Sequence, residues 1–356
     1  MNITPDYFAS SNSMTGFHSY FDTIYNPRKL EKIYIIKGGP GTAKSSMIKA
    51  IKSSFKNKKC ELFLCSSDPL SYDGIIIDKK IAVIDGTSPH SVEARFPGAV
   101  ESIVDNSCAI TDGIRKYKDM IAELVDKKAN LYKVAYIYLK AAAEIKKDCA
   151  NTIITKMHDE KVDAVISRFF KQNFTKKDEY DCDIRLTKGI TPTGMYVTHS
   201  FEKLSKRTAL IINGKGIEES IYQKMIKKAK EYGIKTTISY DPLIPFSPDA
   251  LMFADKSFCI TNYDSDYHGE IDYDRYKIFN CERFNNKNEQ NEIKGKLKFS
   301  YKCQETLCNK AIRYLNEAQK VHKDLEEIYI NNTNYKIIKE KEEQLIDDIY
   351  TAISNA

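Results

Sequence analysis

The chain repeats itself at about half its length. Sliding the 356-residue sequence against itself brings several segments into register in the same order, and such self-similarity limits the fold more than any single motif does. "TGFHSYFDTI" (15–24) resembles "TGMYVTHSFEKL" (193–204), and each leads into an apolar strand, "IYIIKGG" or "ALIINGKG". "SSDPLSYDG" (66–74) answers "SYDPLIPFSPDA" (239–250), keeping Asp68 with Asp241, Pro69 with Pro242 and, after a three-residue insertion, Asp73 with Asp249. "LKAAAEIKKDC" (139–149) answers "LNEAQKVHKDL" (315–325) at an offset of 176, which also relates Ile36 to Ile212 and Gly38 to Gly214. The length exceeds what one hydrophobic core usually holds. Two homologous units are therefore expected, over 1–180 and 181–356, joined at the polar stretch "KKDEYDCDIRLTKGITPTG".

Strands are expected at 33–36, 61–65 and 81–84 in the first unit and near 208–212, 235–239 and 257–261 in the second. Helical periodicity follows over 111 to about 172 and over about 299–355. The fold class expected is α/β: two tandem P-loop NTPase-like domains, each a parallel sheet flanked by helices with a long helical addition.

"GGPGTAKS", Gly38 to Ser45, fits the phosphate-loop pattern G-x-x-x-x-G-K-[ST] at every fixed position except the sixth, where Ala43 replaces glycine. An apolar strand precedes it and a helical pattern follows, the context in which backbone N–H groups curl around a phosphate at a helix N-terminus. Gly38, Gly39, Pro40, Gly41, Thr42, Ala43, Lys44, Ser45 and Ser46 form the expected nucleotide-binding segment. Lys44 would reach the terminal phosphates and the Ser45 hydroxyl would ligate Mg²⁺. Ala43 is expected to be tolerated if its φ is already negative on entering the helix. Asp85, which ends "IAVID" forty-one residues after Lys44, is the expected second metal residue. Alone, it would read as a turn residue before Gly86.

Here the chain resembles the tandem P-loop ATPases, often labelled nucleotide kinases, of spore-forming and related Gram-positive bacteria. The resemblance runs through "KGGPGTAKSS", "SSDPLSYDGIIID", "IAVIDGTSPHSVEARFPGAVESI" and the duplicated plan. It implies nucleotide binding in duplicated P-loop domains and little beyond that. Members carry glycine before the loop lysine, so Ala43 is a departure.

The second loop, "INGKGIEES" (212–220), keeps Gly214 and Gly216 but places Glu219 or Ser220 where the lysine should be, and Thr261 aligns with Asp85. Glu218 with Glu219 would repel a triphosphate. The second unit is expected to be degenerate, a structural or regulatory partner.

Other residues carry two readings each. Asp68 and Asp73 follow the second predicted strand, where Asp68 either orients an acceptor or opens an Asp-Pro turn, the turn being favoured. Thr87 and His90 either sense a terminal phosphate or serve as cap and surface groups. Arg95 either steadies phosphate charge or faces solvent. No glutamate follows Asp85, which removes the usual base of fast ATPases. Leu131, Val134, Ile137 and Tyr138 make an apolar helix face for packing or for a protein partner.

Composition excludes several classes. No apolar run approaches the roughly 18 residues of a membrane helix, and the N-terminus lacks a secretory pattern. Nine cysteines without a C-x-x-C pair fit reduced thiols in the cytoplasm. The net charge of +6 comes from dispersed lysines, with only nine arginines, which argues against a nucleic-acid surface. The expected function is Mg²⁺-dependent ATP binding with ATP hydrolysis through the first loop. The alternatives are a nucleotide-sensing interaction protein and a small-molecule or nucleotide kinase.

Overall fold

The computed structural model describes residues 3–155, 157–214, 216–254, 256–284 and 287–354, with backbone alone for 287–293. Lys215 of the second loop lies outside the described residues. The chain is α/β, with two six-stranded mixed sheets flanked by helices. Across the first sheet the strands run Asp6–Phe8, Cys60–Cys65, Asp68–Ile77, Ile81–Asp85, Lys32–Lys37 and Glu101–Asp105. The second runs Cys182–Ile184, Thr236–Tyr240, Pro248–Phe253, Phe258–Asn262, Thr208–Ile212 and Tyr276–Asn280. Order and strand directions agree between the two.

Neither sheet is wholly parallel, which corrects the expectation. Asp68–Ile77 is antiparallel to both neighbours, as is Pro248–Phe253. Only Ser66 and Ser67 separate Asp68–Ile77 from the strand before it. A parallel crossover needs a dozen residues or more, so the chain must turn straight back. Asp68 and Asp73 thus lie in a strand rather than after one.

The matching segments at 15–24 and 193–204 begin as hairpins, Ser10–Ser13 with Gly16–Ser19 and Lys188–Thr191 with Gly194–Val197. Their turns share one hydrogen-bond pattern. The Ser13 hydroxyl bonds the Thr15 hydroxyl (2.9 Å) and donates to the Gly16 carbonyl (2.8 Å). Thr191 does the same with Thr193 (3.0 Å) and Gly194 (2.8 Å).

Alternation along the loop strand divides the core. Ile33 and Ile35 face an apolar layer that also takes in Ala250, Met252 and Cys259 of the second sheet. Tyr34 and Ile36 face the other way, against Met47, Ile48 and Ile51 of helix Lys44–Ser54. The two sheets are therefore joined through a common core.

The helical stretches divide into Lys118–Ile154 and Asp159–Asn173 in the first half, and Lys287–Ile330 and Tyr335–Ser354 in the second. They cross over. Val162, Ile166, Phe169 and Phe170 from the first half bury against Ala209, Ile211 and Phe253 of the second sheet. Ile338, Leu345 and Ile349 from the second half bury against Tyr34, Leu62 and Ile77 of the first.

The two long helices lie antiparallel along each other. Lys128 meets His322 (3.4 Å), Tyr138 stacks on Tyr314 (5.8 Å between ring centres) and Asp148 pairs with Lys296 (3.1 Å). Their seam is made of Ala135, Leu139, Ala142 and Ala143 against Ala311 and Leu315. Ile137, expected on the packing face, is exposed. No described helix is long and apolar enough to cross a membrane.

Candidate functional site

Strand Lys32–Lys37 and helix Lys44–Ser54 enclose the loop 38–43. Ile36 pairs with Asp85 across adjacent parallel strands, which places loop and aspartate together at the carboxyl edge of the sheet, where ligands of α/β sheets gather. The Lys44 ammonium lies 3.7 Å from the Asp85 carboxylate, both side chains mostly buried. It also donates to the carbonyls of Gly38 (3.3 Å) and Gly39 (2.8 Å). The Ser45 hydroxyl accepts the Tyr72 N–H at 2.9 Å, while Ser46 is exposed. Among the described residues, the amides of Gly39, Gly41, Thr42 and Ala43 donate to no protein acceptor.

The loop is pinned from inside by a residue that motif reading missed. Asn106, fully buried, donates through its side chain to the Thr42 carbonyl (2.9 Å) and through its backbone to that of Lys37 (2.8 Å). It directly follows Glu101–Asp105, the strand beside the loop strand, which was not among the strands expected from sequence. Pro40 lies at the loop's outer bend, half-buried, and the Thr42 hydroxyl donates to the Gly39 carbonyl (2.8 Å).

Ala43 adopts φ 61° and ψ 18°, the left-handed region. The condition set for tolerating Ala43 without strain, a negative φ, is not met. The last loop residue must reverse the chain into the helix, and that geometry explains why glycine suits the position.

One Asp85 oxygen accepts both the amide (2.9 Å) and the hydroxyl (2.5 Å) of Thr87. A Cβ at Gly86 would come within 2.3 Å of Ile35. The Ile35 methyl occupies that space, so a glutamate after Asp85 would require rearrangement. Behind Asp85 sits His90, buried rather than on the surface, its Nε2 at 4.0 Å from Asp85 and 3.9 Å from Asp73. Its ring packs on Phe21 (4.7 Å). Burial pushes the Asp73 carboxyl above the usual range, with Asp85 adding to this and His90 opposing it. Arg95 stands apart, paired with Asp22 at the surface (2.6 Å). Asp68 accepts the Leu70 amide (3.3 Å) and the Ser71 hydroxyl (2.8 Å) and so opens a local turn.

The outer wall of the loop comes from the other half of the chain. A Cβ on Gly39 would strike the Tyr329 ring at 2.5 Å, and one on Gly41 would strike Ile330 at 2.8 Å and the Glu326 carbonyl at 2.9 Å. The Tyr335 hydroxyl donates to the Gly41 carbonyl (2.9 Å). The second loop mirrors this arrangement, since a Cβ on Gly216 would come within 3.2 Å of Ala150 of the first long helix. Ala150 and Glu326 stand 176 residues apart, so the repeat places each long helix on the opposite loop. Nothing in either motif alone announces that contact.

The second loop has closed on itself. Helix Glu218–Glu231 begins at Glu218 as helix Lys44–Ser54 begins at Lys44, so Glu218 takes the lysine's place, not Glu219 or Ser220. Its carboxylate accepts the Gly216 amide at 2.7 Å. An internal anion thus takes a loop donor that a phosphate would need. Ile211 packs with helix Glu218–Glu231 as Ile36 packs with helix Lys44–Ser54, so the structure matches Ile36 to Ile211 rather than to Ile212, and sheet register pairs Ile211 with Asn262 as it pairs Ile36 with Asp85. The aspartate's equivalent is therefore Asn262 rather than Thr261, still without a charge for a metal.

For a divalent cation the first site offers the Ser45 hydroxyl and the Asp85 carboxylate. Mg²⁺ commonly takes one or two protein oxygens of this kind, with water and phosphate completing its shell. The donor set fits. No family model, curated protein or solved structure was found to match the chain.

Proposed function

We propose that the chain binds Mg²⁺ and ATP at the first loop and hydrolyses ATP or transfers its terminal phosphoryl group. The observation that carries this reading is Lys44 held 3.7 Å from Asp85 beside the amides of Gly39, Gly41, Thr42 and Ala43, which donate to no acceptor among the described residues. Amides at a helix N-terminus favour phosphate through their donors and the helix dipole. Lys44 would exchange its loop carbonyls for phosphate oxygens. Ser45 and Asp85 would hold Mg²⁺, which neutralises phosphate charge when bound. The nine free cysteines fit a cytoplasmic setting. The resemblance to tandem P-loop ATPases points the same way.

A second reading, nucleotide sensing with little turnover, draws on two observations. No carboxylate follows Asp85, and Tyr329, Ile330 and Tyr335 from the other half lie on the loop. A nucleotide there would be felt by the helical arm.

Nucleotide binding and phosphate release measured side by side, for the unaltered protein and Lys44→Ala, separate the readings. Lys44→Ala is expected to weaken binding at least tenfold and to abolish release. Binding without release in the unaltered protein would leave sensing alone, and absence of binding would sink both.

A further inference from the structure

The half whose loop has closed still holds an open cavity. It measures about 420 Å³ and lies at the carboxyl edge of the second sheet, in the position corresponding to the Lys44–Asp85 crevice. Its charged groups come from several elements. Lys188, from the hairpin Lys188–Thr191, donates to Asp249 at 2.9 Å. Lys146, from the long helix of the first half, pairs with Asp241. The Lys188–Asp249 pair is largely shielded from solvent, while Lys146 is about a third exposed over a mostly buried Asp241, and each ammonium has three donor protons and one carboxylate partner here. Asn262 lines the same space, its side-chain oxygen accepting the Tyr222 hydroxyl at 2.9 Å. Among the described residues its amide N–H donors have no partner.

His199 forms part of the wall under visible constraint. Its φ of 53° is left-handed, rare for a residue with a side chain. The imidazole is held between Glu202 (3.1 Å) and Asp264 (3.5 Å) and stacks on Tyr267 with ring centres 3.6 Å apart. Strain kept in place by so many contacts is concentrated at functional sites.

The pattern of sign decides the ligand class. Lys146 and Lys188 alternate with Asp241 and Asp249, and Asp264 adds a third carboxylate at the rim, so the cavity presents no field of one sign. A phosphate would meet carboxylates, and a simple cation would meet ammonium groups. A hydroxyl both donates and accepts, so several on one small frame can satisfy both signs together. The volume lies in the range of small-molecule sites. We propose that this cavity binds a small neutral polyhydroxylated molecule of about monosaccharide size. The site is separate from the first loop. Lys146 lies 18 residues along the helix from Lys128, which neighbours the Lys44 crevice through His322, a span of about 27 Å.

Saturation-transfer NMR on the full chain with D-ribose, D-glucose and myo-inositol tests the proposal. At least one polyol is expected to give a saturable signal. Its affinity should fall at least tenfold in Lys188→Met and in Met195→Trp, and stay unchanged in Lys44→Ala. Met195 lines the cavity and is 53% exposed, so enlarging it blocks entry without touching either ion pair or the fold. No saturable signal from any of the three, or one undiminished in Met195→Trp, overturns the proposal. Displacement of a bound polyol by inorganic phosphate at equal concentration also overturns it, in favour of an oxyanion site.

Discussion

Ala43 shows how much one methyl group can hide in a motif. Lys44, Ser45 and Asp85 could be placed from sequence because strand, loop and helix fix where their side chains emerge. The backbone angle at position 43 could not, because it depends on how the loop closes over Asn106. At φ 61° an L-residue costs roughly 1–2 kcal/mol. Glycine would relieve this but gains unfolded-state freedom worth about 0.4–1 kcal/mol. Ala43→Gly is therefore expected to stabilise the protein by about 0.5–1 kcal/mol, read as a higher midpoint of urea unfolding with unchanged slope. A lower midpoint would show that the methyl packs usefully where the loop meets its helix. Glu218 makes the complementary point. Its identity suggested repulsion of phosphate, and only its fold-back onto the Gly216 amide revealed that it occupies the loop.

Among elements, strands such as 33–36 and 81–84 were legible because their apolar runs are continuous, whereas Thr236–Tyr240 offered only the β-branched Thr236, Thr237 and Ile238. The antiparallel strand Asp68–Ile77 was missed because "DPLSYDG" carries the turn residues that normally interrupt strands, and its first five residues alternate poorly. The long helices were legible in extent but not in partner, since an alanine seam does not say what it faces. One consequence can be measured at that seam. His322 lies half-buried between the helices, and burial, then the Lys128 and Lys44 cations, bring its pKa down to about 4, against the opposing pull of Asp68. A folded pKa below the unfolded value of about 6.5 means that the unfolded chain binds the proton more readily. Stability contributed by neutral His322 is thus present above pH 6.5 and lost as pH falls toward 4. Thermal unfolding at pH 7 and pH 5 should show a smaller acid-induced drop in His322→Gln than in the unaltered protein. Equal drops would assign the acid sensitivity to other groups.

At the scale of the whole molecule, the repeat is closed by exchange. Each half sends its helices onto the sheet of the other, and without Ile338, Leu345 and Ile349 the outer face of the first sheet would lose part of the cover they share with helix Lys44–Ser54. Burial of three such side chains is worth roughly 5–9 kcal/mol, comparable to the entire stability of an ordinary domain. Chains 1–180 and 181–356 produced separately are expected to lack cooperative unfolding, and produced together to form a one-to-one complex that unfolds in a single transition. Two independently cooperative halves would contradict the importance of the exchange. What the sequence by itself determined was the duplication, the loop with its lysine, serine and aspartate, and the loss of those groups in the second copy, because these depend on residue identity and on periodicity along the chain. Only the tertiary structure decided the mixed sheets, the arm from one half resting on the loop of the other, and the charged cavity at the carboxyl edge of the second sheet. Those features join residues far apart in sequence, and long-range packing leaves no local pattern from which they could be read.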